Sequence, residues 1–500
     1  GGLLLVAAAA AGGHRAFVPP RAGGPAVAAP PRRSEELLRI GRGSALLELR
    51  QDDAAVLAVR SPGGALLPVQ ATGAFHLTKG IVGTGCLSLP AGVSALAGAV
   101  GEDAALPVAL VLLAACGAAA ARSYREVAAG AAETGSASFA EAFARSGAGP
   151  ASVAAWTAAV NCLGGCVMIA MILGDSAAGA LPQAVAGEAG GGGLGQELQL
   201  PLRFLAIAAS CGLMWPACAK LDMSAMGWSS LLGVSATALT ASVMVARLLD
   251  GSYTDPSGQF VGASTMGGHG AAAQDPGPLG AVGAVLFLVS LLANSFIAHQ
   301  CAPQLRRAVD ADVSAALPEG SEAPAGVFDG VITAGFAFSG VAYAIITSCG
   351  FLTFGLGARD NVLDGYAACD PLAASARLAT VVWLACSFPQ MLLGLRDSLR
   401  DLVGGRTELE VLTSTPLLLC VIALLAGSFT DLSTVMAVQG AVLGALLVFV
   451  LPGMMAAARQ GGDTGRGQLL PRGLIATGTL IGTGGLCAAG LHAASAAVSP

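Results

Sequence analysis

Thr78-Lys79-Gly80-Ile81-Val82-Gly83-Thr84-Gly85-Cys86-Leu87-Ser88-Leu89-Pro90 sets three glycines, a proline and a lysine inside one apolar stretch. Glycine and proline both weaken a helix there. A helix broken at this point exposes free N–H groups at the start of its second half. Together with the local dipole, they attract an anion such as a carboxylate. Gly83, Thr84 and Gly85 are therefore candidate ligands of a carboxylate, and the alternative is close helix packing through small residues. A second stretch carries Asn294-Ser295 near its middle, and a third carries Asn161. An amide in an apolar span is costly unless paired. Asn161, Asn294 and Ser295 are thus candidates either for a substrate cavity or for hydrogen bonds that hold helices together. Lys79 must find carbonyls, a carboxylate or water, or extend its stem so that the ammonium reaches a headgroup.

Such groups need apolar elements around them, and the composition supplies these. Hydrophobic residues make up 54% of the 500 residues and charged residues 11%, against about 25% charged in soluble domains. Mean hydropathy is +0.72. This excludes a disordered chain or a string of soluble domains. The net charge of -6 forms no basic patch, which argues against nucleic acid as a partner. Lysine occurs only at Lys79 and Lys220, neither in Gly-Lys-Ser/Thr, so there is no phosphate loop. No His-Glu-x-x-His and no Gly-x-Ser-x-Gly is present. No cofactor, metal site or enzymatic activity is expected. Of the twelve cysteines only Cys369 falls in an expected loop, so they read as small apolar residues and not as a disulfide framework.

Eleven stretches are long enough to cross a bilayer: 73–96, 104–121, 151–173, 201–219, 227–249, 279–301, 328–354, 371–395, 411–429, 433–455 and 470–494. The links 187–200 and 250–278 read as mobile Gly-rich loops. With the N-terminus inside, inner links carry Arg122, Arg125, Arg145, Arg306, Arg307, Arg396, Arg400 and Arg459, while acids such as Asp250, Asp360, Asp364 and Asp370 fall outside. This is the asymmetry of an all-α polytopic membrane protein. Residues 1–70 form an N-terminal tail distinct from the membrane domain at 71–500. The run 3–11 followed by His14-Arg15-Ala16-Phe17 and an acid-free Arg-rich stretch looks like a signal and plastid-targeting leader. A disordered Ala/Pro/Arg tail is the alternative.

The segment Thr78–Gly85 with Leu87-Ser88-Leu89-Pro90 resembles the first helix of the amino acid/auxin permease family, which includes sodium-coupled neutral and proton-coupled amino acid transporters. Asn161-Cys162-Leu163-Gly164 through Asp175, Phe336 through Gly355, Asp370-Pro371-Leu372-Ala373, Leu395-Arg396-Asp397-Ser398-Leu399 and Phe429 through Pro452 resemble later family segments in the same order. The resemblance covers about residues 70 to 460. It implies a LeuT-like fold in which helices 1–5 and 6–10 are inverted repeats and helices 1 and 6 are broken. It implies a secondary transporter of neutral amino acids working by alternating access in a lipid bilayer, with a non-transporting amino acid sensor as the alternative. In the sodium-coupled branch an Asn stands at the position of Lys79, and its companion is a helix-eight hydroxyl matched here by Ser387. Lys79 departs from that pattern and resembles the proton-coupled branch, which makes Lys79 and Ser387 the candidate ion-coupling pair.

The leader reading has a direct check. Protein isolated from its native membrane, which the leader reading places in a plastid or another organelle, should begin after about residue 35 by N-terminal sequencing; an intact residue 1 would refute the cleavage.

Overall fold

The computed structural model describes residues 58–60, 66–186, 196–220, 227–261, 277–317, 326–403, 414–429, 431–460 and 468–498. The leader expected at 1–35 lies outside them, as do most of the two long links. A short antiparallel hairpin, β1 (Ala58–Arg60) with β2 (Leu66–Pro68), precedes the membrane domain, so the tail region is not wholly without structure. Everything else regular is helical.

The first span is two helices, α1 (Val69–Ile81) and α2 (Gly85–Val100), bent by 54° at the three residues between them. Helices α3 (Glu102–Thr134) and α4 (Phe139–Arg145) follow. Next come α5 (Ala151–Ala186), α6 (Gln196–Lys220) and α7 (Gly227–Leu249). The sixth span is α8 (Gly277–Ser295), a 3-10 turn at His299–Cys301, and α9 (Ala302–Ala316). Then come α10 (Val327–Phe354), α11 (Pro371–Val403) and α12 (Thr415–Ser428). The last two are α13 (Leu432–Arg459), whose middle is π-helical over Gly440–Val450, and α14 (Leu469–Val498).

Three expectations shift. Helix six does not break at Asn294–Ser295; α8 runs through both, and the break is at 296–298. Pro303, in the first turn of α9, suits a helix start, and the restart after the break is set there. The sixth span also continues to Ala316 rather than ending at 301, because Arg306, Arg307, Asp310 and Asp312 make a helical second half look like a loop. Finally, 250–261 is packed structure. Tyr253 and Phe260 are buried and stacked with centroids 5.3 Å apart.

The span count comes out lower than eleven by strict criteria. Among the described residues nine helices are long and apolar enough to cross a membrane, ten if the bent pair is one span. The remaining expected span is α12, 14 residues long. It would cover about 21 Å at 1.5 Å per residue, short of a hydrocarbon core of about 30 Å.

Ion pairs join only ends assigned to the same side. Arg459 of α13 pairs with Glu126 and Glu133 of α3, and Arg125 of α3 with Asp329 of α10, all at the inner end. At the outer end Arg203 pairs with Asp175 at 2.5 Å. There too the Arg247 guanidinium donates to both oxygens of Asp370, at 2.8 and 2.5 Å. Tyr253 donates to Asp370 at 2.9 Å and accepts from Ala367 N–H at 3.0 Å. Burial pushes the Asp370 carboxyl up, but these donors outweigh it and hold it below the ordinary carboxylate range. The outer connection between α10 and α11 is thereby anchored to α7.

The same connection carries carboxyls shifted the other way. Burial pushes Asp364 up to about 6, against the opposing charge of Arg377. Burial and the neighbouring Asp431 raise Asp360 as well. An acid whose folded value exceeds its unfolded value of about 3.9 favours folding below that pH, and the gain is lost as pH rises through the folded value. Asp370 and Asp431, both held low, titrate below this window. Hydrogen exchange of backbone 355–370, corrected for its intrinsic pH dependence, should therefore be slower at about pH 5 than at about pH 7. Asp364→Asn should flatten that difference, and an unchanged pH dependence in the variant would contradict the assignment.

Candidate functional site: a cavity between two broken helices

A break inside a membrane leaves backbone groups that only protein or cavity water can satisfy. At the first break Val82 N–H still reaches Thr78 O at 2.7 Å, but the next carbonyls turn outward. Trp383 of α11 donates its indole N–H to Val82 O at 3.2 Å. The Tyr343 hydroxyl of α10 lies 2.8 Å from Ile81 O and 2.7 Å from Ser295 O, so one fully buried phenol serves carbonyls from both broken helices. The α2 helix restarts loosely, with Leu87 N–H donating to Thr84 O at 3.2 Å and Cys86 N–H to Gly83 O at 3.5 Å. Among the described residues no backbone acceptor is recorded for the N–H of Thr84 or Gly85.

The second break is held differently. Phe296 packs edge-on against Tyr343, with centroids 5.2 Å apart. His299 is fully buried, its Nε2 2.9 Å from Ser123 Oγ and 3.2 Å from Ala120 O on α3. The two breaks touch at Gly85: a Cβ there would overlap the Ser295 hydroxyl and sit 3.0 Å from Ser295 Cα. Gly85 is therefore needed for helix contact whatever its N–H does. Replacing it with a large residue disrupts packing and binding together.

Between the breaks is a cavity of about 60 Å³. It is lined by Lys79, Gly83, Thr84, Gly85, Asn161, Asn294, Ser295 and Ser387, all eight residues singled out from the sequence. The roles of several are qualified by their bonds. Asn161 Oδ1 accepts from Gln439 Nε2 of α13 at 3.1 Å, which makes it an interhelical tie as well as a wall. The Ser295 and Ser387 hydroxyls donate back to Leu291 O and Trp383 O within their own helices, at 2.8 and 3.0 Å. Lys79 is 3% exposed and does not extend to a headgroup. Its ammonium donates to Ser229 Oγ of α7 at 2.7 Å rather than to the Ser387 hydroxyl. One turn earlier His76 Nδ1 lies 3.0 Å from Ser230 Oγ, so α1 is tied to the start of α7 at two levels.

Sequence reasoning missed Gln300, Gln390 and Gln439, which add three amides to the lining, and Tyr343 and Trp383, which hold the first break. Rarity was the available signal: the chain has only 4 Tyr and 4 Trp. Gln439 is the one amide in its apolar span. Among the described residues Lys79 is the one lining residue with an ionisable side chain other than a thiol, its ammonium is turned to Ser229 of α7, and no carboxylate residue lines the cavity.

These features define a multi-pass helical membrane protein with a small cavity between mid-chain helix breaks, into which a few polar residues project from apolar walls, the form of a membrane transporter. The family model for transmembrane amino acid transporter proteins matches residues 70–273 and 321–465, more than two thirds of the chain, and the chain belongs to that family. The family is one of integral multi-pass membrane proteins for amino acid transport. The match omits 274–320, so the sixth span enters the site through its mid-span amide and its place in the structure, not through the family match. No curated protein matched in a separate search.

Tyr343→Phe keeps the ring and removes the hydroxyl, leaving Ile81 O and Ser295 O short of a donor. A loss of about 1–3 kcal/mol is expected, read as a lowered melting temperature in detergent. An unchanged melt would mean that the phenol does not hold the breaks.

Proposed function

We propose that the chain is a secondary transporter of neutral amino acids that works by alternating access on a LeuT-like inverted repeat, without need of sodium and with protons as the coupling ion. The observation that carries the reading is the cavity itself, where two helix breaks, unpaired N–H groups and a ring of amides converge. The N–H groups of Thr84 and Gly85, at the start of α2, receive the substrate carboxylate. Amide and carbonyl oxygens near Asn294 and Ser295 receive the ammonium. With no carboxylate on the wall, a cationic side chain has no counter-charge there. Lys79 disfavours a second positive charge in turn.

The same lysine argues against sodium. Two unit charges about 4 Å apart repel by roughly 4 kcal/mol at an effective dielectric of about 20, on the order of a thousandfold in occupancy. Lys79 and Ser387 both line the cavity, and a sodium ion held within that distance of the ammonium would feel that repulsion. The Lys79–Ser229 bond ties α1 to α7, and breaking it releases the inner half of helix one. Loss of a proton from Lys79 would weaken that tie, which is a route from pH to conformation.

The test is uptake of a labelled amino-acid panel into proteoliposomes, with and without a pH gradient, and with sodium replaced by choline. Wild-type uptake should survive the replacement, rise with the pH gradient and ignore the methyl ester of the substrate as a competitor. Sodium dependence should emerge only in Lys79→Asn. Strong sodium dependence in the wild type would refute the coupling, and absence of any uptake would favour the sensor.

A further inference from the structure

The central cavity has a neighbour. A second pocket of about 30 Å³ lies toward the inner end, bounded by α4, α5, α9 and α11 and carrying Gln304, Asp397, Ser398 and Asp401. Both spaces share Gln300, Cys301 and Gly394 and nothing else, so the partition between them is one layer thick. Gly394 cannot move without the whole of α11, and a Cβ there would already stand 3.0 Å from Cys162 Sγ. Cys301 is too short to swing clear. Gln300 alone has a long, rotatable side chain.

The backbone under Gln300 is held, because His299 beside it is bound to α3. The side chain is poorly held. It lines the central cavity alongside Cys162, and its Oε1 is buried with no hydrogen-bond partner among the described residues. A buried acceptor without a donor raises the free energy of the state that contains it. Turning the amide inward brings Oε1 to the side of Gln304, whose amide can donate, and lets the Gln300 N–H groups face the acceptor carboxylates of Asp397 and Asp401. The closed state therefore carries a cost that opening relieves.

We propose that the Gln300 side chain is the inner gate of the transport path: it walls the substrate cavity from the inner pocket and opens by turning from Cys162 toward Asp397 and Asp401. This rests on the alternating-access reading, but its test does not need transport. Behind the gate Cys162 is a thiol that a small charged methanethiosulfonate can report on. In purified protein Cys162 should react slowly in the wild type. In Gln300→Ala it should react about tenfold or more faster, because access limits a buried thiol. Gln300→Met refills the wall and should restore protection. Exposed Cys369 should react in every variant, and Cys166, fully buried and outside both pockets, in none. If Gln300→Ala exposes Cys166 and so has lost its fold, Gln300→Ser carries the same expectation. Equal Cys162 rates in wild type and the shortened variant would overturn the gate, as would reaction only from the outer face of proteoliposomes. Failure of uptake with the labelling pattern intact would instead count against transport and leave the partition standing.

Discussion

The constraint on which the rest depends is the need to satisfy backbone freed at two helix breaks inside an apolar bundle. Each unpaired group there costs several kcal/mol or about 1–3 kcal/mol net, depending on the reference state. The answer is a few side chains from other helices. Tyr343 spans both breaks, and Trp383 takes the next carbonyl. These two place α10 and α11 against the breaks and thereby close the cavity between them. The groups left without partners, above all the Thr84 and Gly85 N–H, are the ones a bound amino acid would complete.

The two halves of helix one are held with different strength. Ion pairs join helices at both ends, α3 to α13 and α10 at the inner one, so the contrast lies in how helix one is held and not between the two ends as a whole. Outside, Arg247, Asp370 and Tyr253 form a buried, fully bonded cluster, and Ser88 of α2 donates to Asp360 O at 2.5 Å. Inside, α1 is held to α7 by two hydroxyl contacts, Lys79 with Ser229 and His76 with Ser230. A network with several charge-assisted bonds is harder to open than single contacts to hydroxyls. The inner half of helix one and the Gln300 partition are accordingly the softer boundary of the cavity in this state.

Close approach sets the size of the cavity. A Cβ on Gly440 would overlap Ser290 O of α8, and one on Gly164 would overlap the Gln439 amide. Small residues at these crossings let α13 lie against α8 and α5. That brings Gln439 to Asn161 and sets the cavity at about 60 Å³, on the order of four waters.

Apolar length, the bias of arginine to one side and the cluster at Gly83–Gly85 are local properties. The sequence by itself therefore determined the membrane class, most of the spans, the first break and the family. It also determined which residue types would meet at a site, because an amide or lysine has few tolerable places in a bilayer. Their partners were not legible. Lys79 has several hydroxyls within reach of its long stem, and only the packing of α1 on α7 selects Ser229 over Ser387. Asn294 pointed to the right helix, but the break falls after Ser295, because α8 carries its hydrogen bonding through both polar residues and the chain restarts only ahead of Pro303. Tyr343, Gln300 and the Arg247–Asp370 pair depend on contacts between residues far apart in the chain. Tertiary structure decides such contacts because they form only when separate helices are brought side by side.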